Sequence, residues 1–198
     1  EIIQSGAIGD VTESHVWVGK SWNAGDRPAP APVPAHIHFD LWLGPARERE
    51  YHPNLLPANW RRWWEFGGGT LGDMGCHHID LSYWALKLRR PIAVSTKGPP
   101  VHAEGCPSGL HVTLEYPARG KLPPVKLHWY DSGKHRYLFK KHKLPNWGDG
   151  TLFVGTKGLM LASYGGYKLV GDFEGYQPPA KSIPDSIGHY NEWIQACK

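Results

Sequence analysis

The sequence predicts an α+β fold: an open, mostly antiparallel β-sheet with helices packed on one face. Three observations predict it. Several short β-rich runs alternate apolar and polar residues, the pattern of strands with one covered face. One long stretch, residues 71–88, carries apolar residues at helical spacing. The chain of 198 residues holds 24 glycines and 18 prolines, so turns and long loops must join these pieces.

The elements follow in order. A first strand is expected over residues 13–19. Residues 24–36 are too proline-rich for a helix or a central strand and read as an extended surface arm. The helix over 71–88 follows a glycine run and ends near Arg89-Arg90, before Pro91. Strands are expected at 92–97, 110–116, 125–130, 152–154 and 159–162. In 110–116 the alternation is clean: Leu110, Val112, Leu114 and Tyr116 share one side, and His111, Thr113 and Glu115 the other. Residues 117–124 form a loop bounded by prolines. A terminal helix is expected from Asp185, and with the 71–88 helix it should cover the apolar face.

Composition bounds the function. Hydrophobic residues make up 40% and charged residues 20%, as in a folded domain and unlike a disordered chain. No apolar run approaches the ~20 residues of a membrane helix; no signal peptide is present in this chain, and the location is left unknown, with the cytoplasm favoured. The net charge is +4. Lys134, His135, Arg136, Lys140, Lys141, His142 and Lys143 cluster, with Tyr137 and Phe139 between them. A nucleic-acid surface would combine charge and aromatics in this way, and a solvated edge would too. No nucleic-acid motif accompanies the cluster, so no nucleic-acid partner is expected.

Cys76, Cys106 and Cys197 are odd in number and widely spaced, which gives neither a disulfide framework nor a zinc motif. Cys76 is expected as a small buried residue. Among the 12 histidines, His36 and His38 share one side of an extended segment with Asp40 in register. This trio is a weak alternative metal site. No metal requirement is assigned.

The chemistry concentrates in Gly67-Gly68-Gly69-Thr70-Leu71-Gly72-Asp73-Met74-Gly75-Cys76-His77-His78-Ile79-Asp80, where a loop turns into a helix. Thr70 and Asp73 have capping-box spacing. On the helix, Asp73, His77, Asp80 and Trp84 fall on one face. An acid and an imidazole one turn apart can move protons. The same residues also suit a cap, a satisfied histidine and a loop contact.

This segment resembles the GGGxLxDxGxHxxD signature in the C-terminal domain of the Gfo/Idh/MocA oxidoreductases. Further segments resemble the family in the same order: residues 2–11 its SGxIGxV opening, residues 40–46 its DxWLGPA segment, Asn59-Trp60-Arg61 the run before the glycines, residues 152–158 a late hairpin, and residues 189–194 a terminal helix. His36-Ile37-His38 departs from the residues usual before DxWLGPA. The resemblance implies one C-terminal-like domain over residues 1–198, truncated at both ends. It lacks the G-x-G-x-x-G Rossmann turn and the EKP lysine of the family.

The resemblance also implies a role: the substrate-binding and catalytic half of a sugar or polyol NAD(P)-dependent oxidoreductase. His77 would take the hydroxyl proton and Asp73 would orient it. Arg61, Trp60, Trp63, His78 and Asp80 would bind substrate, with Trp64 nearby. NAD(P) is expected for the full-length family, with no cofactor-binding residue in this chain. A homo-oligomer through the open sheet face is expected from the resemblance, with Trp129, Tyr130, His111 and His128 as candidate contacts, and an ordinary solvent-facing sheet stays open as the alternative. Two alternatives stay open. One is a stand-alone hydrolase or lyase acting on a glycoside, lactone or ester, with or without metal, at the Asp73/His77 site. The other is a non-catalytic binding or assembly module.

Overall fold

The computed structural model describes residues Glu1–Lys198. Seven strands form one open sheet: β1 (Val11–Trp17), β2 (Ala93–Lys97), β3 (His111–Tyr116), β4 (Val125–Tyr130), β5 (Gly150–Gly155), β6 (Leu159–Ser163) and β7 (Gly166–Val170). Their order across the sheet is β2-β3-β4-β1-β5-β6-β7. Only β1 and β4 run parallel; every other pair is antiparallel. The α+β class and the open, mostly antiparallel sheet are therefore as the alternation predicts. Strand β7 lies outside the expected strands, because its Gly166-Tyr167-Lys168 start carries little apolar signal.

Four helices accompany the sheet: α1 (Phe39–Leu43), α2 (Gly69–Leu86), α3 (Tyr137–His142) and α4 (His189–Ala196). The long helix α2 lies on one face. Beneath it Val16, Val112, Leu127, Trp129, Phe153 and Met74 form the main core. A bulge between Val11 and Glu13 shifts the phase of β1, so that Val11 joins Val16 on this face despite the odd separation between them. Ser14 also points at α2 and meets Ser82 across 2.8 Å, which satisfies two buried hydroxyls with each other.

The alternate residues face the other way. There Trp17, Tyr130, Leu152 and Leu161 pack under Leu138 of α3 and Leu144 just after it. A third cluster of Phe39, Leu43, Tyr51, Leu55 and Trp63 holds the long proline-rich loop region together. The basic segment is thus partly a short helix anchored by Leu138.

Three expectations are corrected by this arrangement. Helix α4 starts at His189 rather than Asp185, and each of its residues is exposed, so it does not cover the sheet. Trp129 is 0% exposed beneath α2 and is no surface contact. Tyr130 is buried beside α3, so of the four expected oligomer contacts only His111 and His128 keep partial exposure.

Candidate functional site

The glycine run is used up in packing. A Cβ on Gly67 would sit 2.7 Å from the Arg61 Cα, and one on Gly69 would sit 2.7 Å from the Cys106 Cβ. The run therefore lets the 3-10 turn Asn59–Arg62 lie directly against the start of α2. That contact delivers Arg61 to Asp73.

Asp73 is the hub. Its Oδ1 accepts the Arg61 Nε–H at 2.7 Å, and its Oδ2 accepts the Trp22 indole N–H at 2.6 Å. Thr70 does not cap the helix; its Oγ1 accepts the Trp22 backbone N–H at 2.8 Å. The predicted capping box is thus diverted. Both of its side chains reach out to fasten the loop after β1 onto α2. The Arg61 guanidinium lies 4.3 Å from the Trp60 ring centroid and 5.6 Å from that of Trp22, in cation–π range of both. Burial pushes the Asp73 carboxyl up, but the hydrogen bonds from Arg61 and Trp22 and the nearby charges of Arg61 and Lys20 outweigh it. The group stays below the usual carboxylate range, as a fixed anion.

One turn further along α2, the His77 side chain is exposed. Asp73 and His77 line one cleft of about 420 Å³ together with Lys20, Trp22, Arg61, Met74 and Tyr164. The Tyr164 hydroxyl approaches the His77 carbonyl at 3.4 Å. The cleft holds a single carboxylate, already committed to two donors, and an exposed imidazole. That arrangement suits gripping a hydroxyl-bearing ligand and moving one proton.

The structure sorts the other expected residues. Trp60 stacks on Arg61 behind the cleft. Trp63 is 2% exposed in the third core cluster, while Trp64 is exposed and donates its indole N–H to the His102 carbonyl at 3.0 Å. His78 is buried and meets the Tyr164 ring at 5.0 Å; burial first, then the His77 and Lys20 charges, hold its pKa below the usual value against the pull of Asp149. Asp80 is exposed, outside the cleft lining. Lys20, Trp22 and Tyr164 join the cleft without any motif to announce them. Cys76 is exposed rather than buried, and Cys106 is the buried thiol.

His36 and His38 lie exposed around a turn, and Asp40 lies in α1, so these three share no extended strand. They are not brought within metal-binding reach of one another. The ligand group that does converge is Glu13, His15 and His128, on the opposite side of the sheet from α2.

The Gly67–Gly69 run also fails as a dinucleotide cradle, because its free space is filled by Arg61 backbone and Cys106. No helix is long and apolar enough to cross a membrane.

Comparison with known proteins identifies the family. A family model described as "Oxidoreductase family, C-terminal alpha/beta domain" matches residues 6–122, which include the whole 3-10 turn, the glycine run and α2. None of the curated proteins matches this chain. Among solved structures, an oxidoreductase from Sinorhizobium meliloti is similar at 15% identity and a TM-score of 0.41, covering 99% of this chain and 48% of that one. A Thermotoga maritima protein named as an oxidoreductase is similar at 14% identity and a TM-score of 0.37, covering 85% of this chain and 42% of that one. The chain thus spans less than half the length of either neighbour. With more than half of its residues on the family's pattern, this chain belongs to the Gfo/Idh/MocA oxidoreductase family, as its C-terminal α/β domain.

Proposed function

We propose that this chain is the substrate-binding and proton-handling part of a sugar or polyol oxidoreductase. The observation that carries the reading is the Arg61–Asp73–Trp22 lock beside the exposed His77, all in one cleft. The lock holds a carboxylate and a guanidinium in fixed positions, which is what recognition of a polyhydroxylated ligand requires. The Trp22 ring adds an apolar face for sugar C–H surfaces. His77 accepts the proton of the hydroxyl at the carbon being oxidised, since an imidazole serves as base or acid near neutral pH. NAD(P), expected for the full-length family, would supply the hydride acceptor, and the Gly67–Gly69 run of this chain does not fit that group. The task of this chain's residues is to bind, orient and take a proton.

The hydrolase reading finds less support. A glycosidase of the common kind needs two carboxylates about 5–9.5 Å apart, and Asp73 is the only carboxylate lining the cleft.

Ligand-observed NMR against a panel of hexoses, inositols and linear polyols tests the proposal. At least one class should show saturation transfer that disappears in His77→Ala and Asp73→Asn while both variants stay folded. If no polyol binds, or if binding survives both substitutions, the proposal fails.

A further inference from the structure

We infer that Glu13, His15 and His128 form a binding site for a divalent transition-metal ion of the zinc or cobalt type, on the sheet face opposite α2. The backbone places the donors. β1 and β4 are parallel neighbours in which His15 lies abreast of His128, and Glu13 precedes His15 by two residues on the same side. One ligand atom from each residue lies within 4.8 Å of the others. Two imidazoles and one carboxylate are a donor set that zinc takes in sites with an open position.

The outer partners support this. A metal-binding histidine ordinarily has its second ring nitrogen held by a hydrogen-bonding group. Here His15 Nδ1 meets the Tyr130 hydroxyl at 3.0 Å, leaving Nε2 directed at Glu13 Oε2, also at 3.0 Å. His128 Nδ1 meets the Thr113 hydroxyl at 3.0 Å and His111 Nε2 at 3.2 Å. Each histidine thus has one nitrogen oriented by a neighbour.

Capture of an ion requires one movement. The His15 and His128 rings are stacked, 4.8 Å between centroids and 13° from parallel, so their lone pairs run side by side. His128, the less buried of the two, must turn toward Glu13 to close the triangle. The site is separate from the cleft beside α2 and does not depend on the function proposed there.

The test uses protein treated with chelator and then freed of it. Cobalt(II) and zinc(II) are titrated by calorimetry, and cobalt(II) also by visible absorption. One ion per chain is expected, with the intense d–d bands of a low-coordinate nitrogen and oxygen site. Glu13→Gln, at a partly exposed position, and His128→Asn should each weaken binding at least tenfold with unchanged circular dichroism. A His36→Ala/His38→Ala variant should bind as the parent does. The inference is overturned by no saturable binding, by affinity unchanged in Glu13→Gln, or by thiolate-to-cobalt absorption that assigns the ion to a cysteine.

Discussion

Arg61 Nε donates to Asp73 Oδ1 across 2.7 Å, with the guanidinium stacked on Trp60, so one residue of a 3-10 turn fixes the turn of α2 that carries Asp73. The pair is mostly shielded from solvent, with side chains 29% and 19% exposed. Breaking it should therefore cost more than a surface ion pair does. Asp73→Asn is expected to lower unfolding free energy by about 1–3 kcal/mol. The pH dependence has a definite sign. The folded-state pKa of Asp73 lies below its ordinary value of 3.8, so its contribution is full above that pH and is lost as pH falls through the lower folded value. Urea unfolding below and above that range should show a steeper acid loss in the parent than in Asp73→Asn.

The glycines separate by what surrounds them. Gly67→Ala would put a Cβ 2.7 Å from the Arg61 Cα and 2.9 Å from its carbonyl oxygen, both backbone atoms that cannot swing aside. The expected cost is about 1–3 kcal/mol, with displacement of Arg61 from Asp73. Gly72 sits inside α2 with nothing within 4 Å of its added Cβ. Gly72→Ala should stabilise by about 0.5–1 kcal/mol. Opposite shifts of melting temperature in these two variants check the argument.

Much of this was legible in sequence because period-two alternation and a helical run speak directly about burial. The alternation gives β4 its observed bounds, and helical spacing puts Asp73 and His77 on one face, while their pairing as a site comes from the family resemblance. What escaped is what depends on distant chain segments. Trp22 reaches Asp73 from the loop after β1, and Tyr164 enters the cleft from the turn between β6 and β7. Neither carries a local signal. The Glu13–His15–His128 group escaped for the same reason: it exists only because β1 and β4 are parallel neighbours, a long-range pairing that no spacing encodes. α4 misled in the reverse sense, since Tyr190, Trp193 and Ile194 have helical amphipathic spacing yet lie 77%, 71% and 48% exposed.

The three thiols should divide by accessibility. Cys76 and Cys197 are exposed, whereas Cys106 is 1% exposed beside the glycine run and burial pushes its thiol up to about 11. A thiol reagent should label Cys76 and Cys197 in the native protein and Cys106 only after denaturation. Mass spectrometry of labelled peptides decides it. Rapid native labelling of Cys106 would contradict the packing described.

His135 should make the fold acid-sensitive. It is stacked on Trp17, 5.2 Å between centroids, and burial followed by the Arg136 charge lowers it to about 4. The unfolded chain takes up a proton near 6.5 that the folded chain refuses. Its effect on stability is absent above 6.5 and grows as pH falls toward 4. Across that window the loss approaches about 1.4 kcal/mol per pH unit from this one residue. His135→Phe keeps a ring against Trp17 and removes a buried Nδ1 that has no partner. The variant should show a flatter stability profile between pH ~7 and pH ~5 in urea unfolding. A profile parallel to the parent's would assign the acid loss elsewhere.

Arg61→Lys separates charge from geometry at the cleft. Lysine keeps the positive charge but offers a point donor in place of a planar fork, and it cannot stack on Trp60 as a guanidinium does. If Arg61 served only to neutralise Asp73, the variant would be nearly silent. The structure gives it more to do: it bridges the 3-10 turn, through the Ala58 carbonyl at 3.4 Å, to the carboxylate that also holds Trp22. Loss of the stack should release Trp60 and loosen the Trp22 indole. The expected result is a drop in stability of about 1 kcal/mol, a change in tryptophan fluorescence, and loss of polyol saturation transfer. Unchanged fluorescence with ligand binding retained would mean that charge alone suffices at this position, and the rigid lock would then not be what prepares the cleft.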